Sequence, residues 1–575
     1  MCAKTTILTI LAYGIIWSIQ AQDKVALSGY VRDASSGEAL IGATVSLSYS
    51  ESNDQFSSQF IGTTTNIYGY YNIQVRPGAY NVRYSYLGFE SSTTELQILE
   101  NYNFNTELSE EAEALEEIVV TSSGGIIRSN EISVEKISGE TIEKLPAILG
   151  EPDVLRSIQL LPGVSSANEA SSGINVRGGG ADQNLILLDE GIIYNASHLF
   201  GLFSIFNSDA INDVRLFKGG IPATYGGRLS SVLDVQQKEG NRKEFGGRAS
   251  IGLISSKIFL EGPLWRTADA SKGSFMIAGR RSYIDLFTFL SSDFEDFGLY
   301  FYDLNLKTNY RINENNQLFL SAYLGRDNFR IPDFIGSSWG NTAATLRWTS
   351  ILNDQLFLQS SLVYSNYDYN LDILRSGSEF RWASSITNFN FKPRLSWFLN
   401  SQSTLRFGLD VLDYSFDPAT ITPLDESPIV GQTFQNKRAL EGAIYIDGEQ
   451  EIGSRLNLRY GLRFSNFWRR GPFVQNQYPD QEPLAYNRLT DRFVESEIIG
   501  SQSFASGSTI ASYSGLEPRL SVNYQLNNYS SLKLGYNRMY QYIHLVSNTT
   551  SPTPLDIWTP SGTFLRPQRA DQLSI

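Results

Sequence analysis

From residue 244 to 575 the chain alternates apolar and polar side chains with a period of two. Leu456, Leu458, Tyr460, Leu462 and Phe464 share one face, and Arg455, Asn457, Arg459, Arg463 and Ser465 share the other. Leu405, Phe407, Leu409 and Val411 alternate with Thr404, Arg406, Gly408 and Asp410, and the pattern returns at Leu520, Val522 and Tyr524 and at Leu532, Leu534 and Tyr536. This period predicts strands. In water they would suit a sandwich with one buried face, whereas spans of about nine to eleven residues with aromatics near their ends suit the lipid-facing strands of a barrel. Roughly a dozen such strands follow in series without a covering layer, and twisted open sheets rarely stay single beyond about ten strands. The intervening stretches 417–435 and 471–507 are polar and rich in Pro, Asn, Ser and Gly, as extracellular loops would be. A barrel is therefore expected.

The first half reads differently. Short strands are predicted at 27–31, 44–49, 70–75 and 80–86, separated by Ser35-Ser36-Gly37, Tyr68-Gly69 and Arg76-Pro77-Gly78, which supply the turn geometry. This gives a small antiparallel β-sandwich over residues 23–108. Between Glu107 and Glu117 six of eleven residues are Glu, and residues 109–125 are expected to be a solvated acidic linker. It contains Glu117, Ile118, Val119, Val120 and Thr121, a β-branched run suited either to an edge strand of the preceding domain or to adding a strand to another protein's sheet. Residues 126–240 mix strands and short helices with abundant Gly. The spacing of Val154, Leu155, Ile158 and Leu161 predicts a helix over 151–161, stopped by Pro162-Gly163. Gly178, Gly179 and Gly180 could cradle a phosphate, but no Gly-Lys-Ser/Thr follows and no helix opens there, so they read as a turn.

Residues 1–21 carry Lys4, about 13 apolar residues at 7–19, and then Gln20-Ala21, which predicts a secretory leader cut between Ala21 and Gln22. The apolar stretch is short of the roughly 20 residues that a spanning helix requires. The formal charge of −14 argues against a nucleic-acid partner. One cysteine, Cys2, and two histidines, His198 and His544, leave little from which to build a metal site or a thiol nucleophile, and no cofactor or metal is expected. Cys2 would leave with the leader, so the exported chain would be cysteine-free.

Residues 28–47 (SGYVRDASSGEALIGATVSL) and 64–90 (TTNIYGYYNIQVRPGAYNVRYSYLGFE) resemble the carboxypeptidase-regulatory-like domain, which carries no peptidase chemistry. Further on, Leu161-Pro162-Gly163-Val164, Val176-Arg177-Gly178, Leu187-Leu188-Asp189-Glu190-Gly191, residues 211–219 (INDVRLFKG) and Tyr225-Gly226-Gly227-Arg228 resemble the plug domain of TonB-dependent outer-membrane receptors. Residues 241–575 are similar to barrel segments of the same receptors. The resemblance implies a mainly β chain: N-terminal β-sandwich, α+β plug domain and transmembrane antiparallel β-barrel. It makes Glu117 to Thr121 the TonB box and places Arg177, Gly178, Gly179, Gly180, Asp189, Tyr225, Gly226, Gly227 and Arg228 in the plug motif.

The family's barrel has twenty-two strands, whereas this chain ends at Leu573-Ser574-Ile575 partway along a strand. A C-terminally truncated sequence with about twelve to fourteen barrel strands is therefore expected, and its open edge should prevent insertion as a working transporter. The implied function is TonB-dependent uptake of a scarce solute across the Gram-negative outer membrane. The expected partners are TonB, outer-membrane lipid, an extracellular ligand and a surface lipoprotein. Arg455, Arg459 and Arg463 are candidate contacts for an anionic ligand, although polar side chains normally line a lumen. The alternatives are a binding or signalling receptor of the same fold that transports nothing and, more remotely, a secreted all-β enzyme. The ligand itself, whether iron chelate, vitamin, peptide or glycan, is not legible.

Overall fold

A computed structural model describes residues 24–49, 61–111, 134–145, 151–166, 173–266, 271–286, 297–424, 427–453, 455–527, 529–547 and 555–575. Ala21, Gln22 and residues 117–121 lie outside them.

The N-terminal unit contains two sheets. Ile61–Thr64, Thr44–Tyr49, Gly78–Ser85 and Ser92–Ile98 form one antiparallel sheet in that order. In the other, Val25–Asp33 pairs antiparallel with Tyr70–Val75. The inward residues Leu27, Val31, Val45, Leu47, Ile73, Val82 and Tyr84 make a dry core between them. One expectation fails here: the unit is not wholly antiparallel, because Val25–Asp33 also pairs in parallel with Tyr102–Asn103 and with Thr106–Leu108. These two strands are too short to show an alternating pattern. They hold register through side chains: the Ala26 and Tyr30 amides donate to the Oδ1 atoms of Asn101 and Asn105, each at 2.8 Å. The acidic run therefore begins inside the domain, with Leu108 fully buried and Glu110 bridged to Phe89.

The second unit opens with a five-stranded sheet, in the order Gly191–Ile192, Asn184–Leu188, Ser231–Gln237, Ile211–Phe217 and Val134–Ser138. Asn184–Leu188 and Ser231–Gln237 run parallel, and the other pairs are antiparallel. The helix expected over 151–161 is observed as Val154–Gln159. It is shorter because Asp153 is its N-cap, accepting from the Arg156 amide at 3.0 Å, while Glu151 is drawn away by Arg280. Val154, Leu155 and Ile158 pack under the sheet with Val214, Leu216, Leu233 and Val235.

The rest is a 15-stranded antiparallel sheet of successive hairpins. Its main path runs Gly246–Ile251, Ser255–Arg266, Ser271–Ser282, Gly298–Arg311, Asn316–Ile331, Ile335–Asn353, Leu356–Ile373, Phe380–Asn400, Ser403–Pro423, Lys437–Ile452, Leu456–Arg470, Thr509–Asn527, Ser530–Gln541 and Gln568–Ser574. Among the described residues the first and last of these are not paired to each other. The burial is inverted relative to a water-soluble sheet. Asp303, Asn305, Lys307 and Asn309 are buried, while Leu304 between them is 48 % exposed. Arg463 is 1 % exposed between Leu462 at 42 % and Phe464 at 45 %. Charged side chains thus point toward the plug, and a continuous apolar face points away from it. An outward apolar surface of this extent is stable against hydrocarbon, not against water.

Gly29 is needed where the two short parallel strands close the N-terminal unit. A Cβ there would collide with the Phe104 carbonyl, and the Phe104 amide donates to Ser28 O at 2.7 Å. Gly29→Val is expected to cost about 1–3 kcal/mol and to raise hydrogen exchange selectively across residues 102–108; unchanged exchange there would contradict this packing.

Candidate functional site

The site is the seam where the plug meets the inward face of the large sheet. Three plug segments form it, and each meets charged side chains of the strands.

The first is the turn between Asn184–Leu188 and Gly191–Ile192. Asp189 and Glu190 occupy it with φ of 46° and 73°, a two-residue turn normally built from Gly or Asn. Each such non-Gly residue costs on the order of 1 kcal/mol or more, so it persists only where its surroundings fix it. Asp189 accepts from Lys307 Nζ at 3.1 Å and from Gln237 Nε2 at 3.1 Å. Glu190 accepts from Gln359 and faces Arg347 at 3.7 Å. Burial opposes the Glu190 charge, but Arg347, Lys392 and Arg394 outweigh it and hold its carboxyl below the usual range. The strained turn is therefore an acidic tip held in a basic socket.

The second segment is residues 197–204. His198 is buried, stacks on Phe301 at 4.3 Å, and places Nδ1 2.7 Å from Asp327 Oδ2 and Nε2 3.4 Å from Asp303 Oδ2. The Leu199 amide donates to the other oxygen of Asp327 at 2.7 Å. Arg280 reaches the same cluster, pairing with Asp303 at 2.6 Å and with Glu151, and donating to Ser204 O at 2.8 Å. Burial alone would discharge His198. Asp327 and Asp303 outweigh it and raise the imidazole above its ordinary value.

The third segment is residues 221–228. The Ala223 amide donates to Asp447 Oδ2 at 2.9 Å, and Arg519 donates to the carbonyls of Ile221 and Pro222. Gly461 leaves room for this approach, since a Cβ on it would lie 2.8 Å from the Ala223 Cβ. Tyr225 donates to Asp234 at 2.9 Å, and Arg228 lies 5.1 Å from the Trp558 ring. Gly227 faces Glu441, and Gly226 sits against the Arg463 guanidinium.

The candidate residues read from the sequence are divided by this geometry. Asp189, Tyr225, Gly226, Gly227 and Arg228 converge on the seam. Gly178 to Gly180 form a turn after Ile174–Val176, and Arg177 donates to Ser574 Oγ at 2.8 Å. Arg459 pairs with Asp447 at 3.0 Å and with Glu449 at 3.0 Å, Arg463 pairs with Asp410 at 2.9 Å, and Arg455 is exposed in the turn that precedes Leu456–Arg470. Sequence reasoning placed Glu190 in a plug motif but gave no pairing role to it or to His198, and it did not single out Arg280 or Asp327. The alternation marks Asp327 as inward-facing, but its partner lies 129 positions away.

Comparison with known proteins fits this geometry. Residues 127–231 match the TonB-dependent Receptor Plug Domain, and residues 27–120 match the CarboxypepD_reg-like domain. The hemophore receptor HasR of Serratia marcescens, solved with its hemophore HasA and heme, superposes with a TM-score of 0.51 at 15 % identity, over 78 % of this chain and 69 % of that one. The copper transporter OprC superposes with a TM-score of 0.52 at 13 % identity, over 71 % and 65 %. The chain has the fold of a TonB-dependent receptor. It spans about two thirds of the length of these two structures. The matched plug domain and the two solved structures belong to receptors and transporters. No curated protein matched this chain by sequence.

The raised pKa of His198 makes the seam sensitive to pH. Its charged form is favoured in the folded protein, so its contribution is complete below the ordinary value of 6.5 and is lost as pH rises through the raised value. Thermal unfolding of the folded protein in micelles is expected to show stability falling over that range. His198→Gln should lose that slope and about 3–5 kcal/mol at low pH. Equal slopes in the two proteins would refute the assignment.

Proposed function

We propose that the receptor takes up a scarce extracellular solute across the Gram-negative outer membrane, driven by TonB. The seam's chemistry carries this reading. The plug is held to the sheet by ion pairs, charged hydrogen bonds and a strained acidic turn rather than by apolar packing alone. Water entering such a seam re-solvates the parted charges, so displacing a plug segment costs less than exposing an equal area of apolar core. Releasing Asp189 and Glu190 also relieves their backbone strain. A seam of this kind suits a plug that is pulled and returned.

Glu117, Ile118, Val119, Val120 and Thr121 are the proposed TonB contact. A short β-branched run of this kind suits the addition of a strand to another protein's sheet. The leader at residues 1–21 would deliver the chain for export, and the outward apolar face would meet outer-membrane lipid. A surface lipoprotein is a further proposed partner. HasR was solved with heme and OprC is a copper transporter, and either kind of solute is compatible with this reading.

Titrating the folded receptor with the periplasmic domain of TonB tests the mechanism. Binding is expected, and either deleting residues 117–121 or placing Pro at Val119 should abolish it, since Pro removes a ladder donor. Binding that survives both changes would overturn residues 117–121 as the TonB contact, and no binding by the unaltered chain would favour a receptor of the same fold that binds its ligand without transport.

A further inference from the structure

Many cations on the inward face have carboxylate partners. Lys307 pairs with Asp189, Arg280 with Asp303, Arg406 with Glu449, Arg459 with Asp447, Arg463 with Asp410 and Arg519 with Glu517. Lys437 and Arg469 differ. They sit on adjacent strands, Lys437–Ile452 and Leu456–Arg470, in the register Ala439 opposite Arg469. Their odd-numbered positions share the inward face with Glu441 and Arg463, and they lie at the end away from the short turn at Gly453. Arg438 and Arg470 lie beside them on the outward face.

The surroundings of the inward pair are built. A hairpin from the long loop that follows, Ile543–Val546 with Ile557–Pro560, packs against Lys437–Ile452. Lys437 Nζ donates to Thr559 Oγ1 at 2.8 Å, and the adjacent Trp558 stacks on Arg228. Arg469 is 4 % exposed and lies 4.9 Å from the Phe473 ring. Its Nη1 donates to Arg438 O at 2.8 Å. Its Nε and Nη2 have no acceptor, and neither cation has a carboxylate within ion-pair distance, among the described residues. Burying a guanidinium without a counter-charge is costly, and the Nε–Nη2 edge is the fork that binds a carboxylate or phosphate through two parallel bonds.

We infer that Lys437 and Arg469, covered by the paired strands Ile543–Val546 and Ile557–Pro560, form the subsite that holds the anionic group of the receptor's solute, which is therefore a carboxylate- or phosphate-bearing small molecule. This rests on the uptake reading above and narrows it. The inward position separates a solute anion from a lipid phosphate, which would meet Arg438 and Arg470 instead.

The test is calorimetric titration of the full folded chain in detergent with citrate and with inorganic pyrophosphate. At least one should bind, more weakly as salt rises. The Lys437→Gln/Arg469→Gln double variant should lose about tenfold or more in affinity, while Arg438→Gln/Arg470→Gln should match the unaltered chain. If the first double variant does not fold, Lys437→Gln alone carries the comparison. Failure of both probes to bind, or equal affinities in the inward and outward variants, overturns the subsite. Anion binding together with a failed TonB titration would retain the subsite and remove the uptake reading. TonB binding without anion binding would do the reverse.

Discussion

A strand in hydrocarbon satisfies its backbone through its neighbours, and its side chains must then sort by face: apolar toward lipid, polar toward the interior. In this protein the sorting places Asp303, Asp327, Arg280, Lys307, Asp410, Glu441, Asp447, Arg463 and Arg519 on the inward face, buried at 8 % exposure or less. Buried charges at that density cannot stand alone, because each left unpaired costs several kcal/mol. The plug supplies part of what they need: His198 to Asp327 and Asp303, Glu190 to Arg347, Asp189 to Lys307, and backbone groups of residues 221–223 to Asp447 and Arg519. Plug and sheet are thus electrostatically complementary, and the plug's strained turn and helix cap are shaped by that match.

The same complementarity explains why the seam can be functional rather than merely structural. An apolar interface excludes water and resists partial opening, whereas ion pairs can be traded for hydration one at a time. Apolar contacts remain on the plug, where Leu185, Leu187 and Ile192 meet Tyr367, Tyr414 and Trp339. The seam therefore combines an apolar grip with exchangeable charged contacts. Lys437 and Arg469, on the same inward face, have no carboxylate partner among the described residues, and the proposed anion subsite rests on that difference.

Much of this was legible in the sequence. The period-two strands, with Leu462 and Phe464 on one face and Arg463 on the other, required only alternation, and the plug was recognisable from five ordered motifs. What was not legible was pairing across long separations. Arg459 and Arg463 looked available for a ligand because Asp447, Glu449 and Asp410 belong to other strands or other positions of the hairpin, and only register brings them together. His198 carried no local signal, since its partners arrive from strands more than a hundred residues later. The parallel pairings of the N-terminal unit were missed because two- and three-residue strands have no period to read.

The central claim is that the large sheet turns its apolar face to lipid and its charged face to the plug. Single nitroxide labels placed in turn along residues 456–470 of the folded receptor in bilayers test it, with collision rates measured against oxygen and against a water-soluble nickel chelate. The account predicts oxygen accessibility peaking at Leu458, Tyr460, Leu462 and Phe464 and collapsing at Arg459, Arg463 and Ser465. Equal nickel accessibility at both sets of positions would contradict it.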